Sequence, residues 1–290
     1  MVTVLMDQSV PVTIRAHFAT ALGLCSFIAG VGPESSGRVM DCFHSIFSAS
    51  FHKGNGVAPT FGPDTTALHS AALLSWALLL TIQNVTDVAR LAEKHLPHLV
   101  QLLDSSDVEL RIAVGETIAV LFEICHEDQA DLFEDTVLSE KLRQLATDSQ
   151  KFRAKKDRRK QRSSFRDVLK YIEEEELPSV IVKFGRERLY IDTWCRKMQY
   201  DAFCHILGSG MNRHLAENEL MREIFELGPP LPIDIPIKKV SKLEKVRVAI
   251  VCLPLLNFLF LTQRMENTAA SKARTRSRGK LRDKRADVLS

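Results

Sequence analysis

Leu96 to Leu121 reads LPHLVQLLDSSDVELRIAVGETIAVL, and this stretch limits the possible folds more than any other. Leu91, Leu96, Leu99, Val100, Leu102 and Leu103 recur at helical spacing before the turn Asp104-Ser105-Ser106. Ile112, Val114, Ile118, Leu121, Phe122 and Cys125 do so after it. The spacing predicts one helix over Val88–Leu103, bent at Pro97, and a second over Val108–Cys125, capped by Asp107. A pair of helices joined by so short a turn lies antiparallel and cannot bury both of its faces alone. Further pairs must stack on it.

The pair resembles a HEAT or armadillo repeat. Val108, Leu110, Arg111, Ala113 and Gly115 fall at the valine, arginine and small-residue positions of that pattern. Small residues there let antiparallel helices approach closely. Fainter echoes lie at Val12-Thr13-Ile14-Arg15 and at Ala67–Leu80, roughly 40–50 residues apart, the period of such solenoids. Arg15 and Arg111 are expected to be structural, each bonding a carboxylate or a helix carbonyl within the repeat. Met1 stands almost on a repeat helix, and solenoids need terminal caps, which suggests that an N-terminal portion is missing.

Around this pair, helices are expected over Val12–Ala29, Arg38–Phe51 and Thr65–Gln83, separated by the breaker Gly30–Gly37 and the loop Lys53–Pro63. Asp64 is the expected cap of the third. That helix is apolar nearly all round (AALLSWALLL), so neighbours must cover it on two sides. A short helix follows at Val137–Ala146. Ser164 and Asp167 form a capping-box pattern opening a helix over Phe165–Glu176, and Glu173–Glu176 sits badly at its C-terminal dipole unless it answers the basic run in space. The β-branched and aromatic runs Ser179–Phe184 and Arg188–Trp194 flank Gly185 and predict a hairpin. Helices follow over Tyr200–Leu207 and Glu217–Leu227, then a proline-rich linker over Gly228–Pro236.

Charge is distributed very unevenly. Residues 1–150 hold 8 Lys/Arg against 18 Asp/Glu, whereas residues 151–290 hold 31 against 18. Two short runs carry the whole positive excess. The first comprises Lys151, Arg153, Lys155, Lys156, Arg158, Arg159, Lys160 and Arg162. The second comprises Lys272, Arg274, Arg276, Arg278, Lys280, Arg282, Lys284 and Arg285. The second run has nothing to bury and cannot offset its own ordering entropy. Composition alone leaves it open between a solvated tail and an arm for a polyanion groove or channel.

No catalytic constellation is legible, and the chain is not expected to be an enzyme. The six cysteines show no CxxC pair and no metal spacing, which predicts free thiols in a reducing compartment. His205 and His214 lack triad or ligand partners, and Glu173–Glu176 reads as a solvated face. Gly208-Ser209-Gly210 has neither the leading strand nor the GK[ST] of a phosphate loop and reads as a turn. Neither a metal nor a cofactor is expected. Val248–Leu261 is an apolar run of 14 residues containing Pro254 and Asn257, short of the ~20 that span a bilayer. No membrane and no small-molecule substrate are expected.

Long segments of low degeneracy carry a family resemblance. They are KKDRRKQRSSFRDVL (Lys155–Leu169), VKFGRERLYIDTW (Val182–Trp194), YDAFCHILGSGMNRHL (Tyr200–Leu215), NELMREIFELGPPL (Asn218–Leu231) and NTAASKARTRSRGKLRDKRAD (Asn267–Asp287). On these the chain resembles the interferon-related developmental regulator family. Two departures stand out: the apolar segment Val246–Met265, where the pattern has a short helix, and Ser271, where it has an aromatic.

The combined expectation is a mostly α protein. A HEAT/armadillo-like superhelix occupies 1–150. An α-helical C-terminal domain with a small hairpin occupies 151–236, a linker with the atypical apolar insertion 237–271, and the basic tail 272–290. The resemblance implies a translational repressor that occupies idle ribosomes. The first basic run would sit on rRNA phosphates and the tail would thread the mRNA channel. A nuclear transcriptional co-regulator, recruiting co-repressor proteins on its helical surface, is the alternative. Localisation is accordingly expected in cytoplasm and nucleus.

Overall fold

The computed structural model describes residues 1–30, 33–54, 58–125, 132–133, 136–148 and 154–231. The expectations for residues 232–290, including the apolar segment, Ser271 and the basic tail, lie outside the described residues, as do Lys151 and Arg153. Residues 1–231 cluster as one compact unit, separate from residues 232–290.

Its elements in chain order are α1 (Val2–Met6), α2 (Val12–Ile28), α3 (Pro33–Phe47), a 3-10 turn (Ser48–Ser50), α4 (Pro63–Leu80), α5 (Val85–Leu102), α6 (Val108–Cys125), α7 (Thr136–Thr147) and α8 (Lys155–Glu174). Strands β1 (Val180–Phe184) and β2 (Glu187–Ile191) follow, then α9 (Trp194–Leu207), a 3-10 turn (Gly208–Gly210), α10 (Met211–Glu217) and α11 (Glu219–Ile224). The packing is that of a helical-repeat stack. In one row α2 packs on α4, α4 on α6 and α6 on α8, while α3 packs on α4, α5 on α6 and α7 on α8. The row helices start at residues 12, 63, 108 and 155, steps of 51, 45 and 47 residues. Helix α4 is the centre of this stack. It touches α2, α3, α6 and α9, and Leu68, Leu73, Trp76, Leu78, Leu79 and Leu80 are buried along it.

The all-round apolar sequence of α4 therefore finds neighbours, as expected, on more than two sides. Asp107 caps α6 as expected, its Oδ1 accepting the Leu110 N–H at 2.8 Å. Pro97 lies inside α5. Arg15 donates to the Leu5 carbonyl at 2.8 Å, the structural role expected of it. Gly208–Gly210 is a turn.

Several boundaries differ. Helix α3 begins at Pro33 instead of Arg38, since proline at the first helical position gives up only an N–H that has no helical partner. For the same reason Pro63 opens α4 with Gly62 at the cap, and Asp64 falls in the first turn without a capping bond. Trp194 starts α9 instead of ending a strand, because the Thr193 hydroxyl accepts the Arg196 N–H at 3.0 Å. Asn218 breaks the expected Glu217–Leu227 helix, capping α11 through its bond from the Met221 N–H at 3.2 Å.

Close helix approach depends on glycine at two places. A Cβ on Gly23 would stand 2.6 Å from the Ser75 Cβ and 3.2 Å from its Cα, so α2 and α4 touch nearly backbone to backbone. A Cβ on Gly115 would stand 2.8 Å from the ring of Phe165 on α8. The Gly23→Ala variant is expected to lose about 1–3 kcal/mol despite alanine's better helix propensity, because the Ser75 backbone cannot rotate away. Urea unfolding followed by tryptophan fluorescence checks this, and a stability equal to wild type would refute the close contact.

Candidate nucleic-acid interface

From Lys155 to Arg162 the first basic run lies in the N-terminal half of α8. The helix starts at Lys155, ten residues before the expected start at Phe165, and Ser164 is mid-helix, not a cap. The reason lies in the sequence around it. Lys and Arg are good helix formers, and Gln161, Phe165, Val168 and Tyr171 form a buried stripe at spacings of four, three and three. That stripe presses the helix onto α6 and α7. Arg111 of α6, buried to 1% exposure, anchors it by donating to the Gln161 side-chain oxygen and to the Ser105 carbonyl. Its expected intra-repeat role thus holds, and it extends to the basic helix.

Burying one stripe leaves four cations of the run, Lys155, Lys156, Arg159 and Lys160, facing outward. Lys155, Lys156 and Arg159 are exposed and have no carboxylate partner among the described residues. Lys160 pairs with Glu109 of α6, an exposed pair worth at most about 1 kcal/mol and easily exchanged for a phosphate. Arg158 and Arg162 are half-buried, and the Arg162 Nε donates to the Arg158 carbonyl at 3.3 Å. Glu173 does not answer this run, contrary to one expectation. It pairs with Arg143 of α7 at 2.5 Å, and Glu176 pairs with Lys170 at 2.9 Å.

A groove of about 850 Å³ runs along the outward face of α8. Its charged lining is Lys155, Lys156, Arg159, Lys160 and Lys197 against only Glu116 and Asp167. Lys197 sits 5.5 Å from the centre of the Trp194 ring and bonds Glu116 and Asp201 at 2.8 Å each. Burial opposes the lysine's charge, but the two carboxylates outweigh burial and hold its pKa above the ordinary lysine range. Lys197 therefore stays charged, but its charge is answered by Glu116 and Asp201, and the positive excess of the groove lies in Lys155, Lys156 and Arg159. At its end, the Glu123 carboxylate of α6 accepts the N–H groups of Trp194 and Cys195 and fixes the start of α9.

The arrangement can hold an anion but offers little for covalent chemistry. Burial, then the Glu123 charge, pushes the Cys195 thiol far above its usual range and so disfavours its thiolate. Among the described residues no cluster of His, Cys, Asp and Glu could hold a metal ion. Cys25, Cys42, Cys125, Cys195 and Cys204 form no disulfide among the described residues.

One basic surface was not singled out from the sequence. The hairpin pairs Ile181 with Tyr190 and Lys183 with Arg188, so these four side chains share its outer face. The period of two along a strand, which puts Ile181 with Lys183 and Arg188 with Tyr190, was the signal that could have found it.

Comparison with known proteins agrees with the resemblance read from the sequence. The family model described as interferon-related developmental regulator matches residues 1–173. A second, described as an interferon-related protein conserved region, matches 218–252 and 259–286, and its break falls within the apolar run Val248–Leu261. The chain is 42% identical over 287 residues to interferon-related developmental regulator 1 of Mus musculus, covering 98% of this chain and 61% of that protein. It is 41% identical over 287 residues to the Homo sapiens counterpart, with 98% and 60% covered. It is 42% identical over 291 residues to interferon-related developmental regulator 2 of Mus musculus, with 100% and 63% covered. The chain thus spans about three fifths of the length of these relatives. With one family model over its helical stack and such identity along nearly all its length, the chain belongs to the interferon-related developmental regulator family.

Proposed function

We propose that this regulator binds ribosomes through rRNA phosphates and represses translation by occupying the mRNA channel of idle particles with Lys272–Arg285. One observation carries the proposal: Lys155, Lys156 and Arg159 project from a helix anchored by its opposite face and lack carboxylate partners among the described residues. Three unpaired like charges within five residues repel one another and favour a bound polyanion. Cations of this kind read phosphate charge and shape and leave base sequence unread. The protein works by occupancy, and its place is the cytoplasm.

A second reading, a nuclear co-regulator that recruits co-repressor proteins, draws on a different feature. A cleft of about 440 Å³ between α2, α4, α6 and α9 has a mainly apolar lining that includes Leu74, Leu78, Ile112 and Met198. In that reading the basic runs serve as nuclear localisation signals.

Sedimentation of cell lysate through sucrose at low and high salt separates the two. Wild type is expected with monosomes at low salt. The triple variant Lys155→Gln/Lys156→Gln/Arg159→Gln is expected to leave them at lower salt, its binding falling less steeply with salt because fewer counterions are released. A chain ending at Met265 is expected at the top. If all three stay at the top, ribosome binding is refuted and the scaffold reading replaces it.

A further inference from the structure

We infer that the outer face of the β1–β2 hairpin is a second RNA contact, one that takes an unpaired stretch of RNA by stacking a base on Tyr190. This inference rests on the reading of the chain as an RNA-binding regulator.

The hairpin has two unlike faces. Phe184, Leu189 and Ile191 are buried against the helices, β1 meeting α10 and β2 meeting α9. Gly185 at φ 53° supplies the left-handed first position that a two-residue hairpin turn favours, which fixes the register. The same register sends Ile181, Lys183, Arg188 and Tyr190 outward. Tyr190 is 54% exposed and Ile181 49% exposed, an unusual placement for a directly opposed aromatic and aliphatic pair.

Beside that pair stand Lys183 and Arg188, also directly opposed. Like charges at such a position destabilise a two-stranded ribbon. Neither has a carboxylate partner among the described residues. Several other exposed cations of this unit do find one, Arg90 with Asp87, Arg143 with Glu173, Lys170 with Glu176 and Arg213 with Glu217, whereas the hairpin pair shares its lack of one with Lys155, Lys156 and Arg159 of α8. An unneutralised cation pair next to an exposed ring has the composition of a single-strand platform. The ring takes the face of a base, and the cations take the phosphates on either side. Duplex RNA does not fit, because its bases are already stacked and offer Tyr190 no free face.

The α8 groove is lined by one buried tryptophan, Trp194, whose ring is already covered by Lys197. The two surfaces therefore divide the work. The helix holds phosphates of any RNA form, and the hairpin selects for unpaired strand.

The test is fluorescence anisotropy with the full chain, using a labelled 12-nucleotide oligouridine and a labelled RNA duplex over a range of salt. Tyr190→Ala is expected to weaken oligouridine binding about tenfold, the effect of one lost stack, and to leave duplex binding unchanged. Tyr190→Phe is expected to bind as wild type. The double variant Lys183→Gln/Arg188→Gln is expected to reduce the slope of log affinity against log salt by about 1.4 for oligouridine, two single-strand phosphate contacts. All these side chains face solvent, so no variant should melt below wild type. Oligouridine binding unchanged in both Tyr190→Ala and the double variant would overturn the inference. So would full binding by Tyr190→Leu, since a bulky apolar residue that cannot stack would mark the face as a protein contact. The parent reading fails differently. If wild type binds neither RNA, both fall. If the α8 triple variant weakens both RNAs while the hairpin variants weaken neither, only the hairpin inference falls.

Discussion

Arg222→Ala is expected to cost about 3–5 kcal/mol of stability, among the largest effects of any single change in residues 1–231. Arg222 is only 2% exposed, and its guanidinium is fully committed. Its Nη1 and Nη2 meet the Glu187 carboxylate at 3.0 and 2.7 Å, a bidentate pair at the start of β2. Nε donates to the Gly228 carbonyl at 2.7 Å, Nη1 to Leu215 at 2.8 Å, and Nη2 to Leu227 at 2.9 Å and Pro229 at 3.1 Å. One side chain thus ties the hairpin, the end of α10 and the chain leaving α11. Removing it leaves a partly buried carboxylate and several carbonyls without donors, and each such loss costs more than the bond itself contributed. Arg222→Lys is expected to recover only a minor part, because an ammonium cannot reproduce the planar fork. Urea unfolding of both variants checks this, and a loss below about 1 kcal/mol in Arg222→Ala would show that the cluster rearranges freely.

Arg222 also shows where sequence reading stops. Arg15 and Arg111 sit at repeat positions, which predicts structural roles, and both bond main-chain carbonyls, Arg15 that of Leu5 in α1 and Arg111 that of Ser105 in the turn before α6. Arg222 sits in MREIF with no repeat around it, and its partner Glu187 lies 35 residues away, with β2, α9 and α10 between them. Only the folded chain brings them together. The helices around Leu96–Leu121 were legible because their apolar spacing is set by local geometry. Helix α8 was legible only in its second half, where Phe165, Val168 and Tyr171 mark the buried face. In the first half Gln161 alone continues the stripe, and its role depends on Arg111 from a helix 50 residues earlier. The cationic character of the candidate interface was readable as composition. Which of its cations face outward was not, because that depends on which face α6 and α7 cover.

Lowering the pH from 7.5 to 5 is expected to remove about 4 kcal/mol of stability through two buried histidines, His69 and His95, each 4% exposed. Burial first, then the Arg15 charge, lowers the His69 pKa to about 4. Burial first, then the charges of His44, Lys94 and His98, lowers that of His95 to about 4. Both rings are held neutral by their packing. His69 shares a 2.6 Å hydrogen bond with the Ser50 hydroxyl and meets the edge of Phe61. His95 lies between His44 and Trp76, with ring centres at 4.4 and 5.8 Å. In the unfolded chain each histidine takes a proton near pH 6.5, while in the folded chain it does so only near pH 4. Between those values the unfolded state binds more protons, so stability is full above about pH 7.5, falls as pH drops through 6.5, and levels off below 4. His44, also lowered by burial, steepens the fall in the same direction. Urea midpoints measured from pH 7.5 to 5 check the slope. His95→Phe, which keeps an aromatic against Trp76 but cannot titrate, should remove about half of the pH dependence. An unchanged slope in that variant would show that the acid sensitivity resides in other groups.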